Sequence, residues 1–284
     1  MPPTNPPTIG VFDSGFGGLT VLRALIHRMP QARFAFLGDS ARLPYGSKSR
    51  RTIARYAAES ARFLVEEQGA DYLVIACNTA SALALDAIED AVSVPVIGVI
   101  EPGAEAARRV SSTGDVLVIA TDATVQSHAY AAACRARGLR ALEKACPLLV
   151  PLVEEGWTSH PVTAEVFRIY FGELMAEAAA LGMQPDTLVL GCTHYPLLKP
   201  LIEQAIPASM TAIDSAESAA DKLVLQLSQD LGPLAAMTSE SSTNPAEDPI
   251  LHCFATDSVE KFERLGSRFL GRPVGQVQLV DLGG

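Results

Sequence analysis

Leu73-Val74-Ile75-Ala76-Cys77-Asn78-Thr79 decides how this chain is organised. A short apolar, β-branched run of the kind that forms a buried strand stops at a cysteine and passes straight into residues that open a helix. The same design returns at Leu188-Val189-Leu190-Gly191-Cys192-Thr193-His194, with the second cysteine 115 residues after the first. Farther along, Val99-Ile100-Glu101 followed by Pro-Gly-Ala-Glu-Ala-Ala is echoed by Ala212-Ile213-Asp214 followed by Ser-Ala-Glu-Ser-Ala-Ala, at an offset of 113. Two matches at nearly one offset mark an internal repeat. They predict two similar α/β domains, each contributing one cysteine at the C-terminal end of a strand, where open α/β sheets place their ligands.

Outward from these stretches, short apolar runs alternate with longer helical patterns, the signature of βαβ units and largely parallel sheets. Strands are expected near Thr8–Phe12, Arg33–Leu37, Tyr72–Ala76, Val94–Val99, Val116–Ala120, Leu188–Gly191, Met210–Ile213 and Ile250–Phe254. The fold class expected is α/β, with two pseudo-symmetric three-layer domains and mostly parallel sheets. The first domain is placed at residues 8–99 plus 213–284, where the chain returns, and the second at 100–212. The Pro-rich residues 1–7 read as a disordered tail. Ser228–Pro249, crowded with Ser, Thr, Pro and acids, reads as a mobile surface loop.

The 284 residues carry 22 Lys+Arg against 32 Asp+Glu, a net charge of −10 that argues against a general affinity for nucleic acid or an anionic membrane surface. No apolar stretch approaches the roughly 20 residues that span a bilayer, and the N-terminus has neither a basic nor an apolar leader segment, so a cytoplasmic protein is expected. The five cysteines include no C-x-x-C pair. In a reducing compartment they are read singly rather than as disulfides.

Cys77 and Cys192 stand apart from the rest. Each is expected at a helix N-terminus, where unpaired backbone N–H groups and the positive dipole end favour the thiolate. Cys134, Cys146 and Cys253 lack that context and read as core. His194, two residues after Cys192, is placed to stabilise the thiolate or deliver a proton, or else to cap the helix. The other histidines, His27, His128, His160 and His252, stand alone, and no metal is expected.

Asp13-Ser14-Gly15-Phe16-Gly17-Gly18 follows the first strand and opens a helix, a setting for an anion or a small carboxylate or amine ligand. It partly mimics the G-x-G-x-x-G dinucleotide fingerprint but has Thr20 where the third glycine belongs. With Asp39 at the end of the second strand as a ribose-binding carboxylate, a nucleotide site stays open as an alternative. Tyr45 and Gly46, after Pro44, are candidate pocket walls. The basic residues Arg42, Lys48, Arg50, Arg51 and Arg55 suggest either a phosphate partner or a solvated helical face. Glu154 and Glu155, delivered by an apolar run, offer an acid/base carboxylate or an amine ligand, against an exposed acidic turn. Thr121 and Thr124 are ligand-facing hydroxyls or N-caps.

Taken together, Asp13-Ser14-Gly15-Phe16-Gly17-Gly18-Leu19, Gly38-Asp39-Ser40-Ala41-Arg42-Leu43-Pro44-Tyr45-Gly46, Ala76-Cys77-Asn78-Thr79-Ala80-Ser81, Val153-Glu154-Glu155-Gly156 and Gly191-Cys192-Thr193-His194-Tyr195-Pro196 resemble the glutamate racemases of the aspartate/glutamate racemase family. The resemblance spans about residues 8 to 270. It implies two α/β domains with the active site in the cleft between them, and cofactor-independent racemisation supplying D-glutamate for peptidoglycan. It implies Cys77 and Cys192 as the catalytic pair, with Asp13 beside the first and His194 and Glu154 beside the second. Asp13, Ser14, Tyr45, Gly46, Asn78, Thr79, Thr121, Thr193 and His194 are then the substrate contacts. No lysine sits in a Schiff-base setting, so no cofactor is expected, and a homodimer is the expected assembly. An aspartate racemase of the same architecture and a binding module without turnover are the rival readings. A binding module has no need of two thiols at mirrored positions.

Overall fold

The computed structural model describes residues 6–231 and 249–283. Within them the strands are, in chain order, β1 (Thr8–Asp13), β2 (Arg33–Gly38), β3 (Tyr72–Ile75), β4 (Val96–Gly98), β5 (Asp115–Ala120), β6 (Arg140–Ala145), β7 (Thr187–Gly191), β8 (Thr211–Asp214), β9 (Leu251–Ala255) and β10 (Val277–Leu279). They form two sheets, ordered β10-β9-β2-β1-β3-β4 and β6-β5-β7-β8. Every strand pair is parallel. The chain divides into two compact units, Met1–Val99 with Ala219–Gly284, and Ile100–Ser218.

Burial follows from the residue types. Parallel strands covered on both faces read as unbroken apolar runs, and Val116–Ala120 of β5 and Leu188–Leu190 of β7 are fully buried. The sub-order β2-β1-β3-β4 in one sheet matches β6-β5-β7-β8 in the other, so the repeated cysteine stretches occupy corresponding strands, β3 and β7. In each sheet the strand order reverses beside the first strand of its repeat. The crevices where ligands bind in open α/β sheets therefore lie at the C-terminal ends of β1 and β3, and of β5 and β7.

Four details differ from the sequence reading. Ile213 pairs with Val189 of β7, so 213 belongs to the second sheet, and the boundary falls later, inside the helix Ser215–Leu231. The same helix takes in 228–231 of the expected loop; 232–248 and the tail residues 1–5 lie outside the described residues. Pro7, the last residue of the expected tail, is tied to the first sheet, its carbonyl accepting from Arg33 N–H at 3.1 Å. The sequence reading also lacks two edge strands. Arg140-Ala141-Leu142-Glu143-Lys144-Ala145 of β6 mixes charges into a half-buried edge, and β10 is only three residues long.

Gly18 precedes the helix Leu19–Arg28 at the mouth of the β1/β3 crevice. A Cβ there would stand 2.5 Å from Asp13 Cβ and 2.8 Å from Ala76 Cβ, so only glycine lets the helix start come this close. Gly18→Ala is expected to destabilise the protein by about 1–3 kcal/mol through overpacking. Urea unfolding should show a lower midpoint at unchanged m; an unchanged midpoint would refute the close-approach argument.

Candidate active site

The first crevice gathers Asp13, Ser14, Cys77, Asn78 and Thr79. Asp13 ends β1 and is 2 % exposed, its Oδ2 accepting from Gly15 N–H at 3.0 Å. Cys77 follows β3 and caps the helix Asn78–Leu83, its sulfur accepting from Ala80 N–H at 3.5 Å and donating to Ser14 Oγ at 3.3 Å. The expected helix-terminus setting is present, but it does not produce a thiolate. Burial, reinforced by the Asp13 carboxylate, pushes the Cys77 thiol up to about 12, against the hydrogen bonds from Ser14 and Ala80. A rise from 9.0 to about 12 is worth about 4 kcal/mol against the charged form. A helix N-terminus supplies only about 0.3–1 kcal/mol in its favour. Desolvation wins, and Cys77 holds its proton.

The second crevice gathers Thr121, Glu154, Cys192, Thr193 and His194. Cys192 follows β7 and is 5 % exposed. No α-helix starts directly after it: a 3-10 turn over Tyr195–Leu198, with Pro196 inside it, separates the cysteine from the helix Lys199–Ala205. The positive partner of this sulfur is instead a side chain. His194 Nδ1 lies 3.9 Å from Cys192 Sγ, at the outer reach of a hydrogen bond to sulfur, and 3.4 Å from Thr193 Oγ1. Its Nε2 faces Glu154 Oε1 at 3.2 Å, whereas Glu155 is exposed. Burial pulls the imidazolium of His194 down, but its contacts with Cys192 and Glu154 outweigh that and carry it up to about 10. At neutral pH His194 is therefore a cation held between a carboxylate and a sulfur. Thr121 stands before the helix Asp122–Ser127, its hydroxyl 2.9 Å from that of the fully buried Thr124.

Tyr45 is not a pocket wall through its hydroxyl. The ring is 1 % exposed and packs against Phe12 and Tyr56, and the O–H donates to Asp39 Oδ2 at 2.6 Å. Only the Tyr45–Gly46 backbone remains to meet a ligand. Asp39 itself is fully buried, and its carboxylate also accepts from Arg42 Nε at 2.9 and 2.7 Å and from Thr256 Oγ1 at 2.9 Å. A carboxylate so occupied has no capacity for a ribose hydroxyl, which removes the dinucleotide alternative. Arg42 is mostly buried, pairs with Asp39 and Glu59 and lies 4.2 Å over the Tyr56 ring, so it is not part of a surface phosphate patch. Cys134, Cys146 and Cys253 are buried free thiols. Among the described residues no group of three His, Cys, Asp or Glu is placed to hold a metal ion, and no helix is long and apolar enough to cross a membrane.

The arrangement offers two buried thiols in unlike electrostatic settings, one protonated beside a carboxylate and one beside an imidazolium. The profile of the family described as Asp/Glu/Hydantoin racemase matches residues 19–223. The chain is 52 % identical to the glutamate racemase of Koribacter versatilis over 98 % of both chains. Its fold is similar to the crystal structure of a glutamate racemase isoform from Bacillus anthracis, with TM-score 0.84, 36 % identity and coverage of 97 % of this chain and 98 % of the other. It is also similar to the glutamate racemase of Francisella tularensis solved in complex with D-glutamate, with TM-score 0.82, 34 % identity and 98 % coverage of each chain.

Proposed function

The chain belongs to the Asp/Glu/Hydantoin racemase family, and from that premise we propose that it interconverts L- and D-glutamate by passing the α-proton between Cys77 and Cys192. The observation that carries the reading is the pairing of the two sulfurs with opposite neighbours. Racemisation needs a base on one face of the α-carbon and an acid on the other, with the roles exchanged in the reverse direction. Burial and Asp13 keep a proton on Cys77. The His194 imidazole, braced by Glu154, faces the sulfur of Cys192. One proton for two thiols is the resting state such a reaction requires.

In one direction the Cys192 thiolate removes the α-proton and the Cys77 thiol delivers its own to the opposite face. The sulfurs then stand with their charges exchanged, and the reverse reaction starts from that state. The carbanion between these steps has no pyridine ring to drain into. It must be held by hydrogen-bond donors around the carboxylate, for which Ser14, Asn78, Thr79, Thr121, Thr193 and the Tyr45–Gly46 backbone are the assigned contacts. Excluding water from the closed site strengthens each of these interactions. Cofactor independence, a peptidoglycan role for the D-glutamate product, cytoplasmic location and homodimeric assembly belong to the same reading.

The direct test incubates the purified protein with L-glutamate, D-glutamate, L-aspartate or D-aspartate under reducing conditions, with no cofactor added, and follows optical rotation. Decay of both glutamate enantiomers to a racemic mixture is expected, with aspartate turned over far more slowly. Stable rotation of both glutamate solutions would overturn the proposal.

A further inference from the structure

Three loops build the Cys192 half of the site. β5 ends at Ala120, directly before Thr121. β6 leads through Cys146 into the helix Leu149–Glu154, whose last residue faces His194. β7 leads into Cys192, Thr193 and His194. All three meet at the hydroxyl of Tyr195, a fully buried side chain that the proposed chemistry does not use. Tyr195 Oη lies 3.2 Å from Ala120 O and 3.0 Å from Cys146 O. Both partners are acceptors, so the single phenolic proton is shared between them.

The surrounding backbone makes this hydroxyl the joint of a closed network. Tyr195 N–H donates to Cys192 O at 3.1 Å, fixing the turn that presents the sulfur. Cys146 N–H donates to Ala120 O at 2.9 Å, and Leu149 N–H donates to Cys146 O at 3.1 Å where the Glu154 helix begins. The hydroxyl is thus the point where the cysteine turn, the Thr121 loop and the start of the Glu154 helix are tied together.

We propose that Tyr195 is a positioning residue: its hydroxyl, clamped on Ala120 and Cys146, sets the spacing of Cys192, His194 and Glu154. A contact such as His194 to Cys192 at 3.9 Å lies at the edge of hydrogen-bond reach, so a small shift of the Glu154 helix or the cysteine turn changes it most. The groups facing the imidazole are Cys192 and Glu154, and those around the phenol are Cys192, Cys146, Tyr170 and Asp122. Loosening the clamp weakens the contacts of the imidazole while the aromatic ring of residue 195 stays in place.

The proposal rests on the racemase reading only for its kinetic readout, so the test has an arm that needs no turnover. Tyr195→Phe keeps the ring and removes the hydroxyl. NMR titration of the His194 imidazole in the full-length variant should give a midpoint about one pH unit below wild type, a tenfold weaker hold on the proton. Glutamate racemisation by Tyr195→Phe should fall about tenfold in kcat with KM within about twofold. In a Glu154→Gln background the same change should cost almost nothing further, because both act through His194. An unshifted His194 titration, or losses that multiply in the double variant, would overturn the clamp. Should Tyr195→Phe not fold, the wild-type protein decides: slow solvent exchange of the Tyr195 hydroxyl proton supports the clamp and fast exchange refutes it. A wild-type protein that does not racemise glutamate would defeat the racemase reading while the titration still decides the role of Tyr195.

Discussion

Cys77→Ala and Cys192→Ala each lower glutamate racemisation in both directions by about 10²- to 10⁴-fold, the contribution of a positioned proton donor or acceptor. Their residual chemistry differs. In the two-thiol mechanism each sulfur serves one face of the α-carbon, so each variant still exchanges the α-proton of one enantiomer, and the two variants serve opposite enantiomers. Cys77→Ala retains the sulfur that faces the His194 imidazole. Cys192→Ala retains only Cys77, whose thiol is pushed up to about 12 by burial and Asp13. Its exchange should be far slower at pH 7 and rise about tenfold per pH unit toward that value. Proton NMR of each enantiomer in D₂O measures both rates. Equal pH profiles for the two variants would show that the sulfurs do not sit in the unlike settings described.

His194→Gln produces the second large effect, a loss of about 10²-fold in kcat, since it removes the cation beside Cys192 and leaves Glu154 facing a neutral amide. In the wild-type protein the imidazolium persists up to about pH 10. Activity should therefore fall through a limb near pH 10 that the variant lacks. The same proton links to stability. His194 binds it more tightly folded than unfolded, so its stabilising contribution is complete below about pH 6.5 and disappears as pH rises through about 10. The difference in unfolding free energy between wild type and His194→Gln should shrink over that interval. A constant difference, with the alkaline limb unchanged in the variant, would remove His194 from the account.

Much of this site is legible in the primary structure because it follows from strand ends. The stretches ending in Cys77 and Cys192 identify themselves by an apolar strand, a cysteine and a helix-opening residue, and strand order alone then puts both cysteines at reversal points of their sheets. The ionisation of those cysteines is not legible. A helix N-terminus favours the thiolate, but burial of Cys77 beside Asp13 reverses the sign there. At Cys192 a 3-10 turn replaces the expected helix start, because Pro196 follows so closely. Asp39 shows the same limit from the other side. A strand-terminal carboxylate reads as ligand-binding until tertiary packing brings Arg42, Tyr45 and Thr256 onto it. Tyr195 carries no sequence signal of its role at all, since its two acceptors are backbone carbonyls 75 and 49 residues away. The missed edge strand β6 mixes charged and apolar side chains because one of its sides faces solvent.

The central claim is that two thiols on opposite faces exchange the α-proton. Racemisation of protiated L-glutamate in D₂O, stopped within the first few per cent of turnover, tests it directly. The D-glutamate formed should carry deuterium at the α-carbon while the remaining L-glutamate stays protiated, and the reverse should hold starting from D-glutamate. Deuterium appearing equally in the starting enantiomer, or product retaining its original proton, would point to a single base and contradict the two-cysteine mechanism.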